Sequence, residues 1–338
     1  MKPPHASRHF SLSRRALLRS PLLAALPLAP ARASPAIRVG TLRFGTVGWE
    51  LDVMRTHGLD AQAGVTVSPV EFAASQATQV ALQAGNVDVI FQDWLWVSRQ
   101  RGSGADWTFA PGSSAVGAIV APGASPVRSL ADLPGRRLGI AGSPLDKSWL
   151  ILRAYAGKRF GIDLEQRVEK VFGPPPLLAE QLKAGRLDAA LTYWPFAARA
   201  EAAGSRRVLA VEDAIEGLGL PHGIPMVGWV FSQDWASRNR ATVQGFIDAS
   251  EQARAVLATS DAEWDRIAPL TGAADPAELA QLRDWYRRGV PGAWTRTEQD
   301  AAGRLYDILA GIGGPALVGA APHISHGTFW QASDVTPG

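Results

Sequence analysis

Side chains able to grip a small charged or planar molecule cluster at a few points of the 338-residue sequence. The segment Gly142-Ser143-Pro144-Leu145-Asp146-Lys147-Ser148 joins a turn glycine, two hydroxyls and an ammonium. A helix starting near Pro144 would offer free N–H donors and the positive end of its dipole to an anion, with Ser143 and Lys147 beside it. The plainer alternative is a capped helix start, with Ser143 as the cap, Asp146 favouring the dipole and Lys147 solvated. Ser75-Gln76 looks like a second such start, Ser75 as a cap or a contact and Gln76 as donor or acceptor. Tryptophan is abundant, and Trp49, Trp94, Trp149 and Trp194 stand near these points. An indole face stacks on planar or cationic solutes and its N–H donates one bond. Trp149, one turn inside a helix, reads as core. Asp93 suits either a ligand amine or a helix cap. The candidate ligand-binding set is Thr46, Trp49, Ser75, Gln76, Asp93, Trp94, Ser143, Asp146, Lys147, Tyr193 and Trp194. No catalytic residue and no metal ligand is assigned.

Other chemistries are closed off by composition. The chain has no cysteine, which removes disulfides, thiolate-held metals, iron–sulfur clusters and thiol catalysis. There is no G-x-S-x-G elbow, H-E-x-x-H pair, Walker loop or dinucleotide fingerprint. His323 and His326 lie on a terminal segment without a nearby carboxylate in sequence, and read as tail. The net charge of +3 is misleading. Lys2, Arg8, Arg14, Arg15, Arg19 and Arg32 face no acid in residues 1–33, so the remainder is net −3. A nucleic-acid partner is therefore not expected. The basic stretch itself reads as an export signal. Ser13-Arg14-Arg15-Ala16-Leu17-Leu18-Arg19 has a twin-arginine pattern, and an apolar run leads to a cleavage site at Ala31-Arg32-Ala33. The run is too short to span a bilayer. The mature protein is expected free in a periplasmic space.

The elements that must hold these side chains come as a duplicate. Leu82-Gln83-Ala84-Gly85-Asn86-Val87-Asp88 leads to Trp94, and Leu182-Lys183-Ala184-Gly185-Arg186-Leu187-Asp188 leads to Trp194. In each copy a helix ends at the glycine, and a turn through Asp enters a short buried strand. The residues just past that strand are Asp93-Trp94 and Tyr193-Trp194. Both halves read strand–helix–strand–helix–strand, which implies mostly parallel sheets in an α/β fold. Asp88 and Asp188 sit at the strands' amino ends and read as structural turns. Ligands of such sheets lie beyond the carboxyl ends. The expected organisation is an export signal at 1–33, a first lobe from 36–121 plus 226–338, and a second lobe from 127–221. Pro122-Gly123-Ala124-Ser125-Pro126 and the segment 220–225 mark two crossings that would form a hinge. Helices are expected over 234–259, 261–270, 276–288 and 297–311, capped at Asp234, Asp261, Asp275 and Thr295 or Thr297. They are expected to cover the first lobe.

In sum the sequence resembles the periplasmic solute-binding proteins of ABC importers, in the nitrate/sulfonate/taurine group that includes pyrimidine-precursor binders. The matching residues are His57-Gly58-Leu59-Asp60, Ala84-Gly85 with Asp88, and Ser129-Leu130-Ala131-Asp132-Leu133-Pro134-Gly135-Arg136-Arg137-Leu138-Gly139. Leu182, Ala184-Gly185 with Asp188, and Trp194-Pro195 complete the pattern. Met54-Arg55-Thr56-His57 departs from it, where the group often has an aromatic residue. The resemblance implies two lobes with a ligand cleft between them, no cofactor, a monomer, and delivery of one solute to a membrane permease. A small organic anion such as a sulfonate fits the helix starts. A pyrimidine or thiamine precursor, another planar solute or a metal chelate remains open. So do an enzyme on the same scaffold and a sensor that feeds no transporter. The cysteine-dependent pyrimidine synthases of this fold are excluded.

Overall fold

Ten strands build two five-stranded sheets in the computed structural model, which describes Met1, residues 36–43 and residues 45–331. The expected export signal, Met1 apart, lies outside the described residues. The strands are β1 (Ala36–Leu42), β2 (Thr66–Phe72), β3 (Val89–Asp93), β4 (Trp107–Ser113) and β5 (Gly117–Ala121). They continue with β6 (Arg137–Ala141), β7 (Glu169–Gly173), β8 (Ala189–Tyr193), β9 (Arg206–Ala210) and β10 (Val227–Ser232). The first sheet runs β2-β1-β3-β10-β4 and the second β7-β6-β8-β5-β9. In each sheet the first three strands are parallel and the last two are antiparallel to their neighbours. The duplication read from the sequence is thus a duplication of topology.

Its repeated residues do the same work twice. Gly85 and Gly185 follow their helices with φ of 70° and 68°, a conformation that favours glycine. Asp88 then accepts the Arg38 backbone N–H at 2.8 Å, and Asp188 accepts that of Arg137 at 2.8 Å. Each carboxylate ties the start of the third strand to the start of the first, so both aspartates are structural turns.

The first sheet takes β10 from beyond the second sheet, which is itself built of the consecutive strands β5 to β9. β5, placed with the first lobe on sequence, lies between β8 and β9 in the second sheet. The chain therefore changes sheet at residues 114–116, ahead of the Pro122–Pro126 break. All five residues of β5 are buried, which an edge position in the first sheet would not provide. The return crossing runs through residues 218–226 into β10. The two crossings touch: Met226 N donates to Ser113 O at 2.9 Å. Buried apolar clusters combine both sheets, one joining Ile90 and Phe109 to Ile119 and Leu138.

The C-terminal helices depart from expectation in three ways. The expected helix over 234–259 is two, Gln233–Arg238 and Arg240–Thr259. Asn239 leaves helical geometry, and its side-chain amide donates to Trp235 O at 2.8 Å, taking up a helical carbonyl. Ser232 and Ser260, rather than Asp234 and Asp261, cap the helices that follow them, while Asp275 and Thr295 cap as expected. The last helix extends over Arg296–Val318 with a bend at Gly314-Pro315. Finally, these helices cover both lobes. Arg240–Thr259 packs on the helix Val47–Thr56 of the first, and Pro276–Arg288 packs on Trp194–Ala202 of the second. The reason is in the side chains. Glu278 pairs with Arg199 at 2.8 Å, and Arg207 lies 4.4 Å above the ring of buried Trp285.

Candidate functional site

The carboxyl ends of β3 and β8 bring Asp93 and Tyr193 to the seam between the sheets. Asp93 caps the helix Trp94–Gly102, its Oδ1 accepting Trp96 N at 2.8 Å. Its other oxygen faces Lys147 Nζ at 3.7 Å, across from the first sheet to the first residue of the helix Lys147–Phe160. That helix starts later than expected. Its cap is Asp146, whose Oδ1 accepts Ser148 N at 2.9 Å, because Asp146 holds extended geometry and the turn at Gly142–Leu145 precedes it. Ser143 is exposed; its Oγ accepts from Leu145 N at 3.3 Å and its carbonyl from Asp146 N at 2.9 Å. The predicted anion cradle is therefore already filled by a carboxylate of the chain itself. Tyr193 Oη and Asp146 Oδ2 both crowd Gly142, where a β-carbon would lie 3.2 and 3.0 Å from them.

This places Asp93, Asp146, Lys147 and Tyr193 in one polar cluster. Burial raises the Asp146 carboxyl above its ordinary value, against the pull of Lys147 and Ser148. Burial lowers Lys147, but Asp93 and then Asp146 outweigh it and hold the ammonium above its usual range. Burial, followed by Asp146, pushes Tyr193 up to about 12. At neutral pH the cluster holds one ammonium and one neutral phenol.

The duplicated tryptophans part company. Trp94 is fully buried, packs against Tyr306 and Phe329, and donates to Pro225 O at 2.8 Å. It is core, and its candidacy is withdrawn, because β3 turns its following helix into the tail helices. Trp149 is core, as expected. Trp194 joins a ring of four aromatics: its centroid is 6.0 Å from Trp49 and 6.3 Å from Tyr286, and both of those touch Trp264. Thr46 and Trp194 line a small pocket between the sheets, with Glu50, Phe91, Arg254 and Tyr286. The pocket adjoins the polar cluster, since its lining residue Val227 pairs with Asp93 in the sheet and Trp194 follows Tyr193. Ser75 and Gln76 stand apart. Ala74, not Ser75, is the helix's capping position, and no hydrogen bond or ion pair among the described residues ties either to the cluster.

The pocket floor was not read from the sequence. Glu50 accepts from Ser250 and, at 3.1 Å, from Arg254 Nη1, while Trp229 Nε1 donates to Ser250 Oγ at 2.7 Å. Both charged partners are almost fully buried. Burial raises the Glu50 carboxyl despite Arg254. The one available signal was Ser250 and Arg254 spaced one helical turn apart on the apolar face of a long helix. His323 pairs with Asp307 at 3.0 Å, and no cluster of three or more metal-ligating His, Asp or Glu occurs among the described residues.

Residues 130–270 match the NMT1-like family. The fold is shared with the alkanesulfonate-binding protein SsuA of Xanthomonas axonopodis pv. citri, at TM-score 0.67 and 19% identity over 89% of this chain and 99% of that one. It is shared equally with the periplasmic aliphatic sulphonate-binding protein SsuA of Escherichia coli, at TM-score 0.68 and 19% identity over 88% and 98%. The desulfurization enzyme DSZB has it too, at TM-score 0.56 and 17% identity over 84% and 93%. No curated protein sequence matches the chain. The resemblance to the nitrate/sulfonate/taurine group is thereby borne out, as is the two-lobed α/β fold. Lys147, Tyr193 and Trp194 fall inside the stretch that matches; Thr46, Glu50 and Asp93 fall outside it.

Proposed function

We propose that the chain is the solute-binding component of an ABC importer, capturing a small molecule between its lobes outside the cytoplasm and delivering it to a permease. The observation that carries this reading is the Asp93–Lys147 contact of 3.7 Å, which sets the end of a first-sheet strand against the start of a second-lobe helix beside an aromatic pocket. Groups from both lobes converge there, so a molecule seated among them favours the closed arrangement by touching both. A small organic anion such as a sulfonate is supported by Lys147 and by the names of the two SsuA proteins. A planar solute is supported by Trp194, Phe91 and Tyr286 in the pocket wall.

The enzyme alternative has DSZB as its precedent of fold. The protonation states oppose it. Lys147 is held as an ammonium and Tyr193, at about 12, as a phenol, so neither is a ready base or nucleophile at neutral pH. The test is a thermal-shift screen of the purified protein with small solutes. A ligand at a hundred times its dissociation constant adds about 2.7 kcal/mol of stability. Binding lost in both Lys147→Ala and Trp194→Ala supports the cleft. Binding untouched by either variant moves the site elsewhere, and turnover of the solute replaces the reading with an enzyme.

A further inference from the structure

Resting on that reading, we infer that the solute carries a carboxylate, and that Arg254 receives it side-on at the pocket floor through Nε and Nη2. The first ground is what Arg254 leaves unused. Its Nη1 donates to Glu50 Oε1 at 3.1 Å and to Ser250 Oγ at 2.6 Å. Nε and Nη2 have no hydrogen-bond partner among the described residues, yet neither is sealed from solvent. The residue is only 6% exposed and lines the pocket, so the pocket is where those nitrogens open. A cation this deeply buried normally has its donors answered, because an unmet charged donor is costly.

The second ground is which two nitrogens are free. Nε–H and the neighbouring Nη2–H run parallel in the plane of the guanidinium. Together they form the fork that takes both oxygens of a carboxylate. Glu50 sits on the other edge, at Nη1, so an acid reaching the fork need not displace it. Glu50 is also well supplied. Ser250 donates to it, and the Tyr286 hydroxyl is turned toward it. The charged groups of the floor therefore leave a donor pair open, not an acceptor.

The third ground is the room. The cavity holds about 40 Å³. That is space for roughly three water-sized groups, as many as a carboxylate has heavy atoms. A sulfonate has one more, and its third oxygen leaves the plane that the fork serves. Phe91, Trp194 and Val227 in the wall keep the site apolar, which strengthens a pair formed inside it. Val227 pairs with Asp93 in the sheet, so the remainder of the solute extends toward the Asp93–Lys147 contact and meets both lobes.

The experiment titrates two probes that share an ethyl group and differ in the acid, propionate and ethanesulfonate, calorimetrically into the whole protein at neutral pH. Wild type is expected to bind propionate at least about tenfold more tightly. Propionate should also shift the Arg254 Nε–H signal in nitrogen-15 NMR, a signal identified by its loss in Arg254→Lys. That variant keeps a charge beside Glu50 but has no fork, so its propionate affinity should fall at least about tenfold. Glu50→Gln still accepts from Ser250 and Arg254 and removes the competing charge, so it should bind propionate about threefold more tightly or better. Circular dichroism checks each fold. Should Arg254→Lys not fold, the neutral pair Glu50→Gln/Arg254→Met takes its place and should lose propionate. Equal or tighter binding of ethanesulfonate to wild type overturns the inference. So does propionate affinity that survives loss of the fork, that is unchanged or weaker in Glu50→Gln, or that is absent at millimolar concentration. Each of these leaves solute capture standing where another solute binds and needs Lys147 and Trp194. Solute capture itself fails if neither probe binds and native mass spectrometry of the protein from its own cells finds no small molecule.

Discussion

At the scale of single residues, the buried Glu50–Arg254 pair decides how firmly the pocket floor is held. Two ions out of water are costly, and their attraction repays the cost only when further bonds satisfy them. Ser250 supplies one such bond to each partner, and Trp229 anchors Ser250 in turn. Removing one partner leaves the other charged and buried. Arg254→Met is therefore expected to lose about 3 to 5 kcal/mol in a urea titration, whereas the double variant Glu50→Gln/Arg254→Met should recover most of that loss. Equal losses in the single and double variants would show that packing, not charge, dominates there. The pair also shows why a residue-by-residue reading ran out. Glu50 and Arg254 are 204 positions apart, and neither belongs to a repeated motif. The same holds for Trp94 and Trp194. They are equivalent in the duplicated pattern, yet one is sunk among Tyr306 and Phe329 and the other meets Trp49 across the seam. Burial direction depends on what the tail brings, and nothing local encodes that.

At the scale of elements, the repeat made most of the scaffold legible, because a helix end, a left-handed glycine and a carboxylate turn are local devices. Asp188→Ala should cost about 1 kcal/mol of stability through the orphaned Arg137 N–H, and should leave solute affinity unchanged. Asp88→Ala should behave alike, its extra bonds to the half-exposed Arg38 guanidinium adding little. A loss of affinity in either would make these aspartates part of the site. What stayed hidden was the place of β5, which belongs to the second sheet, whereas β10 returns to the first sheet as the sequence led one to expect. A five-residue apolar strand fits either sheet equally well, and only the pairing with β8 and β9 settles it. Glu212 secures the entry into β5 by accepting Val116 N at 2.7 Å. Burial raises its carboxyl above the ordinary value. A raised folded-state value means the native state holds the proton longer than the unfolded chain does. The contribution of this group is then complete below the unfolded value and is lost as pH climbs through the folded one. Glu212→Gln, which still accepts the bond, should gain stability relative to wild type as pH rises through the carboxylate range. Parallel pH curves from chemical denaturation would contradict this.

At the scale of the whole molecule, the lobes are not two free bodies on a flexible hinge. The tail helices reach both, the apolar clusters mix both sheets, and the first crossing is pinned by the tail. Gly289 O, just past the helix Pro276–Arg288, accepts Ser114 N at 2.9 Å and Ser113 Oγ at 3.2 Å. The approach is so close that a β-carbon on Gly289 would lie 2.3 Å from that of Ala115, well inside contact distance. Any larger residue must push the tail off the crossing or bend the crossing itself. Gly289→Val should therefore cost about 1 to 3 kcal/mol, the usual penalty for overpacking. It should also act at a distance. The same loop carries Val290 in the pocket wall beside Tyr286, so shifting it loosens the aromatic ring that ties Trp49 to Trp194. Small-angle scattering of Gly289→Val without solute should then show a larger radius of gyration than wild type. Lys147→Met, which cuts the cross-lobe contact to Asp93, should widen the molecule less, since a single ion pair weighs little against shared apolar packing. If Lys147→Met opens the lobes as far as Gly289→Val does, the ion pair rather than the tail governs closure.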